Sequence, residues 1–293
     1  HKAYTVGECP GAGVKLGRFI AGDDSDELSQ LFSFDHIDNP GKKRFDVYDF
    51  DLRKMMPELI RWQMKYSNHA WPTVFMDNHD NPRMLSKVDK DLKYRDEVAK
   101  LLITLMMTLK GTPYIYQGDE IGMANYPFKD LSEYRDVETF NFYKLNQKDK
   151  NILKRLAYGS RDNARTPMQW SDDAYAGFSS VNPWININPD YKEYNVEAEL
   201  KDDNSILNYY KKAIKLRKDN KVFIYGNFEL ITLKDILVYK RTLDDEEFIV
   251  VMNLTDKTLK KPLVKDVVLS NYNNDSDKLR PYEVIVCRKV EKY

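Results

Sequence analysis

Between Ala3 and Tyr116, short runs of β-forming residues alternate with stretches of helical periodicity, and this alternation restricts the fold more than any other feature of the sequence. Ala3 to Gly7 makes one run, stopping at Glu8 before the breaker sequence Cys9-Pro10-Gly11. Leu28 to Phe34 makes a second, after which Leu52, Met55, Met56, Leu59, Ile60 and Met64 recur at the spacing of one helix face. Thr73 to Met76 reads as a third strand. Val98, Leu101, Leu102, Leu105, Met106 and Leu109 mark the buried side of the next helix, closed by Gly111, and Thr112 to Tyr116 is a further strand. Mostly apolar strands separated by helices read as parallel β/α architecture, because crossover helices cover the faces of a parallel sheet. The expected class is α/β, as a barrel or an open sheet.

The texture then changes. Residues 125–189 are rich in Tyr, Asn, Asp and Arg with little periodicity, as expected of long loops and short helices covering one face. Ile206, Tyr209, Tyr210, Ala213, Ile214 and Leu216 mark a last helix. Beyond it Leu237 to Tyr239, Phe248 to Met252, Val267 to Leu269 and Val284 to Val286 are β runs separated by polar turns, the pattern of a small all-β sandwich. A chain of 293 residues exceeds what one core usually fills, so two units are expected, residues 1–221 and 222–293.

Charge narrows the partners. Lys and Arg together number 46, as do Asp and Glu, so no net basicity points to nucleic acid or a membrane surface, and a neutral ligand fits best. The 20 tyrosines exceed what a core needs, and aromatic faces commonly hold sugars. Cys9 and Cys287 lie near opposite ends and make neither a disulfide framework nor a metal cluster, so a reducing cytoplasm is the expected compartment. No run approaches the ~20 apolar residues of a membrane span. The start, His1-Lys2-Ala3-Tyr4, has no signal-peptide pattern and no initiator Met, so the chain is expected to begin inside a longer protein.

Glu8, Asn78, His79, Asp80, Gln117, Asp119 and Glu120 all fall at or just after expected strand ends, where barrel enzymes place their chemistry. Glycoside hydrolysis needs an acid to protonate the departing oxygen and a carboxylate opposite it, and Glu8 and Asp80 are the candidates, expected at the rim of one pocket. From position alone, a solvated loop glutamate and a turn-capping His79-Asp80 pair read equally well. Trp62, Trp71, Trp170 and Trp184 can stack on sugars or simply pack.

Longer motifs carry more. Tyr4-Thr-Val-Gly-Glu8-Cys-Pro-Gly11, Phe75-Met-Asp-Asn-His-Asp-Asn-Pro-Arg83 and Gly111-Thr-Pro-Tyr-Ile-Tyr-Gln-Gly-Asp-Glu-Ile-Gly122 resemble, in order, blocks of the α-amylase superfamily of glycoside hydrolases. Tyr134 to Thr139, Ser160 to Trp170 and Leu279 to Glu283 are similar to segments of its oligo-1,6-glucosidase and α-glucosidase branch. The resemblance covers essentially the whole chain and implies the carboxyl-terminal half of a (β/α)8 TIM barrel, strands five to eight, followed by the β-sandwich. It implies that Glu8 is the general acid and later base, with a pKa held high by a partly dry pocket, and that Asp80 stays ionised to stabilise positive charge at the anomeric carbon. His79 and Arg165 are implied as substrate-binding residues. Arg161 reads either as a further site residue or as a structural ion pair. The Gln117-Gly-Asp-Glu120 loop is implied to be structural, and neither a metal nor a cofactor is expected.

The resemblance also implies what is absent. Full-length members begin with four more barrel strands, an inserted loop domain and the aspartate nucleophile of a retaining mechanism. The chain is therefore expected to be inactive alone and to rely on the amino-terminal half of the barrel. The implied substrates are short gluco-oligosaccharides with α-1,6 bonds, and α-1,4 bonds as well. Cys-Pro-Gly after Glu8 resembles oligo-1,6-glucosidases more than trehalose-6-phosphate hydrolases, which are the alternative, with a noncatalytic carbohydrate-binding remnant as a third reading. Asp38-Asn-Pro-Gly41 stands where related sucrose isomerases carry an arginine-rich loop, so hydrolysis is expected over isomerisation.

Overall fold

A computed structural model describes residues 3–273 and 276–292. Strand β1 (Val6–Glu8) pairs in parallel with β2 (Gln30–Phe32), and β3 (Thr73–Val74) in parallel with β4 (Thr112–Pro113). The Thr73 hydroxyl donates to the Leu31 carbonyl at 2.9 Å and links the two pairs. Helices α1 (Val14–Ala21) and α2 (Leu52–Lys65) follow β1 and β2, and α3 (Met84–Val88) and α4 (Arg95–Thr108) connect β3 to β4. The β/α alternation expected from the sequence is present.

The strands are shorter than their apolar runs. Beyond Val74 the backbone leaves the sheet, and the Phe75 carbonyl accepts from His36 Nε2 at 2.7 Å. Burial pushes the His36 ring down to about 4, so a neutral imidazole makes this bond. In β4, Pro113 has no N–H to offer a neighbour. Helix α1 was not expected. Its buried residues are Gly17 and Ala21, while Leu16 and Phe19 face outward, so apolar spacing does not mark its packed face. Gly17 is there for closeness: a Cβ would lie 2.9 Å from the Trp62 ring.

Gly111 does not cap α4 as its position implies. The helix ends at Leu109 in extended conformation, and Gly111, at φ +131°, lets the start of β4 pass Pro72. A Cβ there would meet the Pro72 carbonyl oxygen at 2.4 Å. Gly111→Ala is expected to cost about 2–3 kcal/mol, read as a lower urea midpoint at unchanged slope.

Residues 125–201 carry α5 (Val137–Leu145), α6 (Ile152–Gly159) and α7 (Val196–Lys201) among short turns, held by a Phe45–Phe142 stack at 4.2 Å. Then α8 (Ile206–Asp219) lies along α4, joined by a 2.8 Å hydrogen bond between Thr104 and Tyr209. The sheet does not begin at Val222. Residues Val222–Tyr225 form a helical turn, α9, whose Val222 and Phe223 are buried. Antiparallel strands β5 (Asn227–Leu233), β6 (Ile236–Leu243), β7 (Glu246–Asn253), β9 (Leu263–Ser270) and β11 (Val284–Lys292) follow in the order β5-β6-β7-β11-β9. β8 (Leu259–Lys260) and β10 (Lys278–Leu279) pair separately. Alternate residues serve two cores. Leu237, Tyr239, Phe248, Val250 and Val284 pack toward α4 and α8, and Val238, Ile249, Val251, Ile285 and Cys287 form a second cluster.

Two buried arginines tie the sheet to α4. Arg217 of α8 donates to the carbonyls of Met107, Leu109 and Phe223 at 2.7–2.9 Å and to that of Gly111. Arg241 of β6 donates to Phe223 at 3.1 Å, Gly226 at 2.8 Å, Asn227 at 3.2 Å and to Thr108. A helix end leaves four carbonyls without intrahelical donors, and these guanidiniums supply donors to two of them in α4, those of Met107 and Thr108. Among the described residues neither forms an ion pair, and burial pulls each guanidinium down to about 10.

Candidate active site

The carboxyl ends of the parallel strands deliver the candidate residues to one side of the molecule. Glu8 ends β1, residues 77–80 leave β3, and residues 114–120 leave β4. A cavity of about 220 Å³ opens there, walled by Phe32, Phe34, Phe75 and Tyr116, with Glu8 and His79 in its lining. Glu8 is exposed at the rim in this chain, where among the described residues β1 has a hydrogen-bonded neighbour on its β2 side alone. A wider groove of about 1300 Å³ runs along α1 and α2, away from these strand ends, lined by Leu16, Phe19, Arg61 and Met64.

Asp80 is not part of the cavity lining. It sits beside it, with Oδ1 3.6 Å from His79 Nε2, and accepts from Arg165 Nη2 at 2.8 Å and Arg161 Nη1 at 3.4 Å. Arg165 Nε also donates to the His79 carbonyl at 2.9 Å, so one planar fork holds both ends of the His79-Asp80 dipeptide. The Asp80 N–H donates to Asn78 Oδ1 at 2.8 Å, fixing the turn. Arg161 continues the network to Asp136, with Nη2 2.8 Å from Oδ1. Arg161 is thus a partner of the buried Asp136 carboxylate and a neighbour of Asp80. Asp136 caps α5, accepting from the Thr139 N–H at 3.1 Å. Burial works against its carboxylate, but Arg161 and Thr139 outweigh it and hold the group below the usual range.

The family model described as alpha amylase, catalytic domain, matches residues 1–226. The chain belongs to the α-amylase family. It is 40% identical over 305 residues to the oligo-1,6-glucosidase of Parageobacillus thermoglucosidasius, covering 96% of this chain and 54% of that protein. The solved trehalose-6-phosphate hydrolase of Bacillus licheniformis superposes with a TM-score of 0.89 at 36% identity, over 97% of this chain and 55% of that one. The isomaltulose synthase of a Klebsiella species does so with 0.90 at 33%, over 98% and 55%. The chain spans about half the length of the relatives it matches.

In this α-amylase family chain the tryptophans divide. Trp62 is buried and donates to Asp35 at 2.9 Å, Trp71 donates to Thr112 at 3.0 Å, and Trp170 and Trp184 are exposed. The Gln117 loop folds inward: Glu120 accepts from the Gly118 N–H at 2.7 Å and Asp119 is buried. Among the described residues no three His, Cys, Asp or Glu side chains gather as a metal site, and no helix is long and apolar enough to cross a membrane. Sequence reasoning missed Asp136 as the second carboxylate of the arginine network, although it lies inside the quoted Tyr134 to Thr139 segment and begins an Asp-x-x-Thr helix cap. It also missed Arg83, fully buried beneath the loop that carries Asp80.

Proposed function

We propose that this chain is the carboxyl-terminal part of a retaining α-glucosidase that cleaves α-1,6 bonds, and α-1,4 bonds as well, in short gluco-oligosaccharides. The observation that carries the reading is one cavity at parallel-strand ends with a carboxyl group, Glu8, and a histidine, His79, in its lining and Asp80 beside it. Glu8 protonates the glycosidic oxygen and later activates water. Asp80 and His79 hold hydroxyls of the sugar as its ring distorts, and Arg165 orients Asp80. The four parallel strands are strands five to eight of the barrel, and the segment ahead of them in the longer protein supplies the nucleophile. The exposed Leu16, Phe19 and Met64 face the groove along α1, where that segment packs.

The relative named an oligo-1,6-glucosidase supports α-1,6 specificity, and the likeness to a trehalose-6-phosphate hydrolase makes the phosphorylated disaccharide the second reading. The test is to co-express the chain with the amino-terminal segment of an oligo-1,6-glucosidase and to follow glucose release from isomaltose, maltose and trehalose 6-phosphate. Release from isomaltose is expected, with none from the chain alone. Sugar binding without turnover in the complemented protein would favour a noncatalytic remnant, and faster release from trehalose 6-phosphate would transfer the assignment.

A further inference from the structure

Beneath the His79-Asp80 loop lies a cluster to which the reading above gives no role, although one of its members, Asp77, also lines the candidate cavity. Asp77 and Asp119 are both at least nine-tenths buried and line one small cavity, with their carboxyl groups placed to hydrogen-bond to each other. Two carboxylates cannot make that bond without a proton between them. Asp77 Oδ1 accepts from the Met84 N–H at 2.7 Å, closing the loop 77–84 on itself. Asp119 accepts from the Tyr116 N–H at 3.1 Å and from Arg83 Nη1 at 3.3 Å, and Arg83 Nη1 also donates to the Gln117 carbonyl at 2.8 Å. The pair thus joins the base of the loop carrying His79 and Asp80 to the loop after β4.

Charge counting identifies the protonation state. Arg83 is the cation in contact with the pair, and Lys87 of α3 is engaged by Asp38 at 2.8 Å. The other titratable groups facing the pair are Tyr116 and Glu120 of the loop after β4 and Tyr210 of α8, none of them a cation. One proton leaves the dry cluster of two carboxyls and one guanidinium neutral, and no proton leaves it with a buried negative charge. We propose that Asp77 and Asp119 share a single proton, and that this proton clasps the loop bearing His79 and Asp80 onto the loop after β4. Its consequence for catalysis rests on the glucosidase reading; the clasp itself does not. Asp77 and Asp119 are positioning residues.

Burial raises both carboxyls, and that of Asp119 is raised further by the charge of Asp77. A folded-state value raised above the unfolded one gives stability that is full below the ordinary carboxyl range, about 4, and is lost as pH rises toward the folded value. One proton's difference changes the folding equilibrium up to about tenfold per pH unit in that window.

The test is urea unfolding of the chain from pH 5 to pH 9, alongside Asp77→Asn and Asp119→Asn. In Asp77→Asn the amide oxygen still accepts from Met84 and the amide N–H donates to Asp119, so the bond survives without a titrating proton. Asp119→Asn also removes the titrating proton, but its amide NH2 group replaces an oxygen that accepts from the Tyr116 N–H or Arg83 Nη1, so it is expected to be the less stable of the two variants. The wild-type chain is expected to lose stability with rising pH while at least one variant holds a flatter profile. Protection of the Met84 and Tyr116 amides from hydrogen exchange, corrected for intrinsic rates, is expected to fall with pH in the wild type alone. Parallel profiles for all three proteins, or failure of both variants to fold where the wild type folds, would overturn the proposal. Neither readout needs turnover, so a complemented chain that leaves isomaltose intact would remove the glucosidase assignment without touching the clasp.

Discussion

Glu8→Gln, in the chain completed by an amino-terminal half, is expected to lower kcat on isomaltose about a thousandfold, within the ~10²–10⁴-fold range of general acid catalysis. Glutamine keeps the shape of the side chain at the cavity rim and removes both the acid proton and the later base, so ground-state binding of the sugar should move little while the chemical steps slow. The loss should depend on the leaving group. A sugar alkoxide departs poorly without a proton, whereas a nitrophenolate departs unaided, so p-nitrophenyl glucoside should retain far more of its bond-cleavage rate than isomaltose. Within this chain Glu8 is exposed, so the substitution disturbs none of the chain's own packed contacts. Equal losses on both substrates, or none on isomaltose, would remove Glu8 from the acid role.

Arg241→Ala is expected to be the most destabilising single change outside the site, by about 3–4 kcal/mol, because it strips charged donors from several buried carbonyls at once. The carbonyls of Thr108, Phe223, Gly226 and Asn227 lie where α4, α9 and β5 meet, and Arg241 is fully buried among them. Water cannot replace the guanidinium without opening that junction. Arg241→Lys should rescue little, since an ammonium cannot span acceptors that a planar fork reaches together. Thermal unfolding should register a fall of roughly 6–12 °C for the alanine variant. A change within 1 °C would mean that the junction is already hydrated.

What the sequence discloses follows from which forces act locally. Helices α2 and α8 are legible because one face of each is buried against a core, and that prints a 3.6-residue period in Met55, Leu59, Tyr209 and Ala213; α4 is buried at every residue from Val98 to Thr108, and its large apolar residues Leu101 and Leu105 keep the same spacing. Helix α1 is not, because its contact is made by Gly17 while Leu16 and Phe19 look outward. Val222 to Tyr225 has the composition of a strand and is helical because Arg217 and Arg241 both claim the Phe223 carbonyl, a tertiary demand no local window contains. Gly111 was read by its neighbours in sequence, and it answers to Pro72 across the sheet. In the candidate site, Glu8 and His79 were legible as polar residues after apolar strands. The union of Asp80 with Arg161 and Arg165, of Arg161 with Asp136, and of Asp77 with Asp119 was not, since each spans 25 or more positions and leaves no periodic trace.

Arg161 touches Asp80 on one side and the residue that caps α5 on the other. Variation at the outset of that helix is thereby transmitted to Asp80 through one rigid side chain, while the strand registers that set the cavity stay fixed. Under the proposed glucosidase reading, selectivity among sugars and the integrity of the scaffold can consequently drift apart over generations, the former recorded in peripheral loops and the latter in the strands.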